Sequence, residues 1–131
     1  MRKQYQRQHS IIGAVLVALL LGACASMSPE QRAAVAYLDA NTIYEETIMA
    51  AGEAQARNPT PETAIAVERL REPARLAEAA LRTARTGLLA YLNAAPGSPE
   101  HVAATLLADA QKAEQLAKDL KRLWSAAKKG V

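Results

Sequence analysis

The chain has 131 residues, half of them apolar, a formal net charge of +3 and an isoelectric point near 9.2. Three of its sixteen basic residues, Arg2, Lys3 and Arg7, stand at the very start, and the thirteen beyond them match thirteen acidic residues. A nucleic-acid binder keeps a basic excess for phosphate contacts, so this balance excludes that class of partner. There is no Phe and a single Trp, alanine is abundant, and Gly and Pro gather at segment ends, which is the profile of close-packed helices rather than of a sheet.

The first segment joins the basic opening to an apolar run, Ile11 to Leu21, that ends in Leu21-Gly22-Ala23-Cys24. A charged start followed by a short apolar stretch has the form of a secretory signal, here residues 1–23. Its end resembles the lipobox of bacterial lipoproteins, in which small residues precede a cysteine that is acylated and becomes the new N-terminus. The resemblance implies a lipid on Cys24, a short tether over 24–27 and, with Ala25 rather than Asp after the cysteine, the periplasmic face of the outer membrane. Two alternatives stand beside it. Ala23-Cys24-Ala25 also fits ordinary signal cleavage after Ala25. An uncleaved transmembrane anchor is the third reading, but a span needs ~20 apolar residues and this run is shorter. Cys24 is the only cysteine, so it has no disulfide partner within the chain, and a lone thiol in an oxidising envelope is a liability unless modification consumes it.

Three copies of one helix-start signature divide the rest: Ser28-Pro29-Glu30-Gln31, Thr60-Pro61-Glu62-Thr63 and Ser98-Pro99-Glu100-His101. In each, a hydroxyl can accept from the first free backbone N–H groups, proline presets φ at the first helical position, and Glu faces the positive end of the helix dipole. Gln31 completes a capping box in the first copy. Stop signals, Asn58-Pro59 and Pro96-Gly97, precede the second and third. The expected helices are about 29–57, 61–95 and 99–129, within a single domain spanning 28–131.

Each segment carries an apolar seam at spacings of three and four. In the first it runs Ala34, Tyr37, Asn41, Tyr44, Ile48, Ala51; in the second Val67, Leu70, Ala74, Ala77, Leu81, Ala84, Leu88, Tyr91; in the third Val102, Leu106, Asp109, Ala113, Leu116, Leu120, Leu123, Ala127. Short connections make successive helices antiparallel. The fold read from this is an all-α, up-down-up three-helix bundle with the middle segment as its central helix. Pro73 lies inside that segment and predicts a kink there, or else a break that leaves 61–72 as a separate short helix.

Little in the chain points to chemistry. His101 has no second His or Cys one turn on, so no metal site is read. Glu45 and Glu46 point about 100° apart on a helix and are not a catalytic dyad. No nucleotide-binding or nucleophile-elbow motif occurs, and the expectation is a non-enzyme without a cofactor. Asp39 and Glu46 on the first helix, level with Arg71, Arg75 and Arg82 on the second, read either as pairs across the rim of the bundle or as two stripes that simply face water. The last turns of the third segment carry Lys118, Lys121, Arg122, Trp124, Lys128 and Lys129. Lys121, Arg122, Trp124, Lys128 and Lys129 are the candidate contact surface for an envelope protein or cell-wall partner; equally, they are favourable charge at a helix C-terminus with Trp124 covering the bundle end. The functional expectation is a small lipid-anchored envelope protein with a structural or interaction role. Two alternatives rest on other grounds: a phage- or plasmid-type lipoprotein acting in exclusion or lysis, on size and location, and a helical carrier of an apolar ligand, which needs a roomy cavity.

Overall fold

The computed structural model describes residues 27–94 and 101–130, and within 101–104 the backbone alone. The signal segment, Cys24 and the third start signature at Ser98-Pro99-Glu100 lie outside the described residues. Helix α1 runs Pro29–Arg57, α2 Pro61–Glu68, α3 Arg71–Asn93 and α4 His101–Ala127, followed by a 3-10 turn at Lys128–Gly130. These are the three expected helices, antiparallel in sequence, with the second divided in two.

The two described starts form as their residues dictate. The Gln31 N–H donates to Ser28 Oγ at 3.3 Å and the Ser28 N–H to Gln31 Oε1 at 2.9 Å, a closed capping box ahead of Pro29. At the second, the Thr63 N–H donates to Thr60 Oγ1 at 3.2 Å, and the two threonine hydroxyls share a bond of 3.0 Å that satisfies the fully buried Thr63.

The division of the second segment falls at Arg69-Leu70, just ahead of Pro73 rather than on it. A proline has no N–H for the carbonyl four residues back, and its ring crowds that carbonyl, which here belongs to Arg69. The chain answers by ending α2 there. The Leu70 N–H turns to Val67 O at 3.0 Å, and the next regular bond runs from the Ala74 N–H to Leu70 O at 2.8 Å. Pro73 thereby sits in the first turn of α3, where N–H groups have no intrahelical acceptor to lose.

The third helix, α4, and not the second is the hub. It packs along both α1 and α3, whereas those two meet over a shorter length. Its buried positions are Leu106, Ala110, Ala113, Ala117, Leu120 and Trp124, an unbroken alternation of four and three. Ala110, Ala113 and Ala117 expose nothing, so the neighbouring helices approach the α4 backbone itself. Gly87 of α3 lies against the Leu106 side chain, where a Cβ would stand 2.8 Å from Leu106 Cδ2. Two clusters fill the interior. One joins Ala33, Ala36 and Ala40 of α1 and Ala80, Leu81 and Ala84 of α3 to the first half of α4; the other gathers Ala51, Ala66, Leu70, Leu120 and Trp124 at the opposite end.

Measured against this core, the seam expected on the second segment holds, and the others are turned by a residue. On α1 the buried set is Ala33, Ala34, Ala36, Ala40, Thr47 and Ala51, while Ile48 is 37% exposed. On α4 the positions 106, 113 and 120 hold, but Asp109 and Leu116 are only partly covered, and Leu123 is 46% exposed. Leu120→Ala should therefore cost ~2–5 kcal/mol in chemical denaturation, and Leu123→Ala much less. Equal losses would overturn the register of α4.

Candidate interaction surfaces

At the end of the bundle that carries the C-terminus, Trp124 is 6% exposed and packs with Leu70, Leu120, Ala51 and Ala66. It covers the bundle end and is not available to a partner, so the proposed contact set loses its aromatic member. Trp124 stands four residues after Leu120 and seven after Ala117, so the heptad that includes Ala110 would have placed it in the core from the sequence. The basic residues stay at the surface: Lys121, Arg122, Lys128 and Lys129 are all exposed. Arg122 is 3.4 Å from Asp119, and Lys118 is 2.8 Å from Glu114, each pair within one turn of its own helix. Lys121, Lys128 and Lys129 enter no described ion pair.

The rim pairs between helices do not form. Arg71 meets Glu68 at 3.0 Å, Arg75 grips Glu72 through two bonds of 3.0 and 2.6 Å, and Arg82 reaches Glu78 at 3.2 Å. Each arginine finds a carboxylate one turn back along its own chain segment before it reaches another helix, and such exposed pairs are weak. Asp39 and Glu46 lie on solvent-facing positions of α1. Glu45 accepts from Asn41 Nδ2 at 3.1 Å, which explains a polar residue on the expected seam: Asn41 stands at the edge of α1, half covered. Asp109 lines a cleft between α3 and α4 with Leu76, Thr83 and Lys112. The side chain of His101 lies outside the described residues, and among those described no cluster of His, Cys, Asp and Glu could hold a metal ion.

On the side of the bundle away from α4, α1 and α3 diverge and leave a groove. Near Ser28 it deepens into an apolar pocket of about 150 Å³ lined by Ala34, Tyr37, Leu88, Leu89, Tyr91 and Leu92, with Glu30 and Arg85 at its lip. A cleft of about 290 Å³ follows, between Tyr37, Asn41, Tyr44 and Glu45 on α1 and Glu78, Leu81, Arg82 and Arg85 on α3. A third of about 310 Å³ lies beyond it, between Ile48, Ala51 and Gly52 and the Val67–Ala74 stretch. The larger openings lie open to solvent over the buried Leu81 and Leu70 and are troughs, not chambers that enclose a ligand. The sequence signal for this groove was present in the stripe Tyr37, Asn41, Tyr44, Ile48, which marks a real face of α1, but an open one.

Beside the pocket Glu30, Tyr91 and Tyr37 are shifted. The Ser28 hydroxyl, then the backbone at Glu30, holds the Glu30 carboxyl below its ordinary 4.5, with a smaller lowering from the Tyr91 hydroxyl. Burial first, then the Glu30 charge and its hydrogen bond, raise Tyr91; burial likewise raises Tyr37 and Tyr44. No family model, no curated protein and no solved structure matches the chain.

A carboxylate held below its unfolded value contributes stability that is in place above that value and is lost as pH falls through the lowered one. Acidification below pH 4.5 should destabilise the parent chain more steeply than Glu30→Gln, which has no proton to take up at that position. Thermal unfolding followed across that range checks it, and parallel slopes for the two chains would remove Glu30 from the acid response.

Proposed function

We propose that this chain is a small lipid-anchored cell-envelope protein whose helical bundle has a non-enzymatic structural or interaction role. The observation that carries the reading is Leu21-Gly22-Ala23-Cys24 behind an apolar run, with only Ala25, Ser26 and Met27 between that cysteine and the helix cap at Ser28. Three extended residues reach about 10 Å, so a lipid on Cys24 holds the start of α1 against its membrane. Among the described residues no helix is long and apolar enough to cross a membrane. Cys24→Ser should abolish incorporation of a labelled fatty acid and release the protein from the membrane fraction. A labelled Cys24→Ser chain, or a mature N-terminus at Ser26, would refute the anchor.

In this arrangement α1 leads about 43 Å away from the lipid, α2 and α3 return, and α4 leads away again. The far end then carries the 58–60 turn and the exposed Lys121, Arg122, Lys128 and Lys129, with Trp124 beneath them as structural cover. A partner in the periplasm or cell wall meets that end first, and its surface would be anionic. Replacing the four basic residues with Gln should reduce capture of envelope partners or cell-wall material, with helical circular dichroism unchanged. Full capture by the well-folded variant would leave these residues as helix-end charge alone.

A further inference from the structure

We infer that the groove between α1 and α3 is the interface of a parallel homodimer, filled by the same groove of a second copy. The groove runs along α1 and α3 on the face opposite the hub helix. Its first two openings share Tyr37 and Arg85, and the third begins one turn beyond Tyr44 at Ile48. Half-covered tyrosines with Leu88, Leu89 and the exposed Leu92 make its first opening apolar, and the exposed Ile48 with Val67 and Leu70 the third, while Asn41, Glu45, Glu78, Arg82 and Arg85 make the cleft between them polar.

The charges on its two walls name the occupant. The charged groups of the α1 wall are both acidic, Glu30 and Glu45; the facing wall carries Arg71, Arg82 and Arg85 of α3, with Glu68 of α2 and Glu78 of α3 already paired to Arg71 and Arg82. Arg85 enters no described ion pair. A two-fold axis parallel to the helices sets the α1 of each copy opposite the α3 of the other and keeps every residue at its own level. Glu45 already lies level with Arg82 and Arg85 in one cleft of its own copy, so in the second copy it meets Arg85, which has no described ion pair, beside the Arg82–Glu78 pair. The alternative axis, across the helices, would set α1 against α1 and bring acidic walls together. Self-complementarity of this kind is what an isologous interface requires, and four helices, two from each copy, then enclose the apolar ends of a groove that one copy leaves open. The assignment stands whether or not Cys24 is lipidated. An anchor on both copies would favour the same parallel arrangement and raise their effective concentration.

The test is the mass of the purified full chain in detergent, with micelles in large excess over protein. The parent should run as a dimer. Glu45→Arg, and separately Arg82→Glu with Arg85→Glu, each place like charges at both symmetry-related contacts and should weaken self-association at least roughly a hundredfold. An equimolar mixture of the two reversed chains restores opposite charges at both contacts and should recover the dimer. Ile48→Ser, which leaves every charge in place, should weaken the dimer independently, with helical circular dichroism confirming that each variant is folded. A monomeric parent, a reversed chain that still pairs with itself, or a mixture that stays monomeric would overturn the interface and leave the groove to a different partner.

Discussion

The absence of side-chain bulk along one face of α4 is the constraint on which the bundle depends. Ala110, Ala113 and Ala117 are fully covered, so the stabilising contacts there are made by backbone and methyl groups at short range rather than by large apolar side chains. Close approach by small residues gives dense packing but little buried area per residue. The two ends of the bundle make up the difference, with Leu81 and Leu106 in one cluster and Leu70, Leu120 and Trp124 in the other. A bundle organised in this way tolerates added volume poorly at its waist, where a larger side chain must push a whole helix outward.

The same economy of bulk explains which parts of the fold were legible. Helix limits were, because they are set by local chemistry: Ser28 and Thr60 cap as their hydroxyls require, and Asn58-Pro59 separates α1 from α2. The rotation of α1 and α4 was not, because an alanine-rich helix presents apolar atoms on several faces. A seam drawn through its bulkiest residues picks Tyr37, Tyr44, Ile48, Leu116 and Leu123, whereas the core selects Ala33, Ala40, Ala110 and Ala117. The effect of Pro73 was legible in kind and displaced in position, since proline acts on the carbonyl four residues before it. The charges were the least legible. Heptad levels place Glu46 beside Arg71 and Arg75, but an arginine with a carboxylate one turn away on its own segment has no need to cross to another helix.

The candidate surfaces divide along the same line. Basic residues at the C-terminal end are exposed as composition and position suggest, and Trp124 is withdrawn from them because its ring packs with Leu70 and Leu120 over Ala51 and Ala66. The groove between α1 and α3 is a product of topology. With α4 wedged along both helices, their far sides splay apart, and the tyrosines of α1 are left half covered.

The division at Arg69-Leu70 has a consequence for motion. It leaves α2 as an eight-residue helix, shorter than an isolated helix needs to persist in water, joined to α3 by a turn and to α1 by the exposed Asn58-Pro59 link. What keeps it folded is the seating of Ala66 and the following Leu70 against Trp124 and Leu120. Such a segment opens as a unit at lower free energy than the bundle, in the manner of a small foldon, and its amides exchange with solvent before those of α4. An opening of α2 would draw Ala66 and Leu70 away from the indole of Trp124, so the single tryptophan of the chain would report it optically.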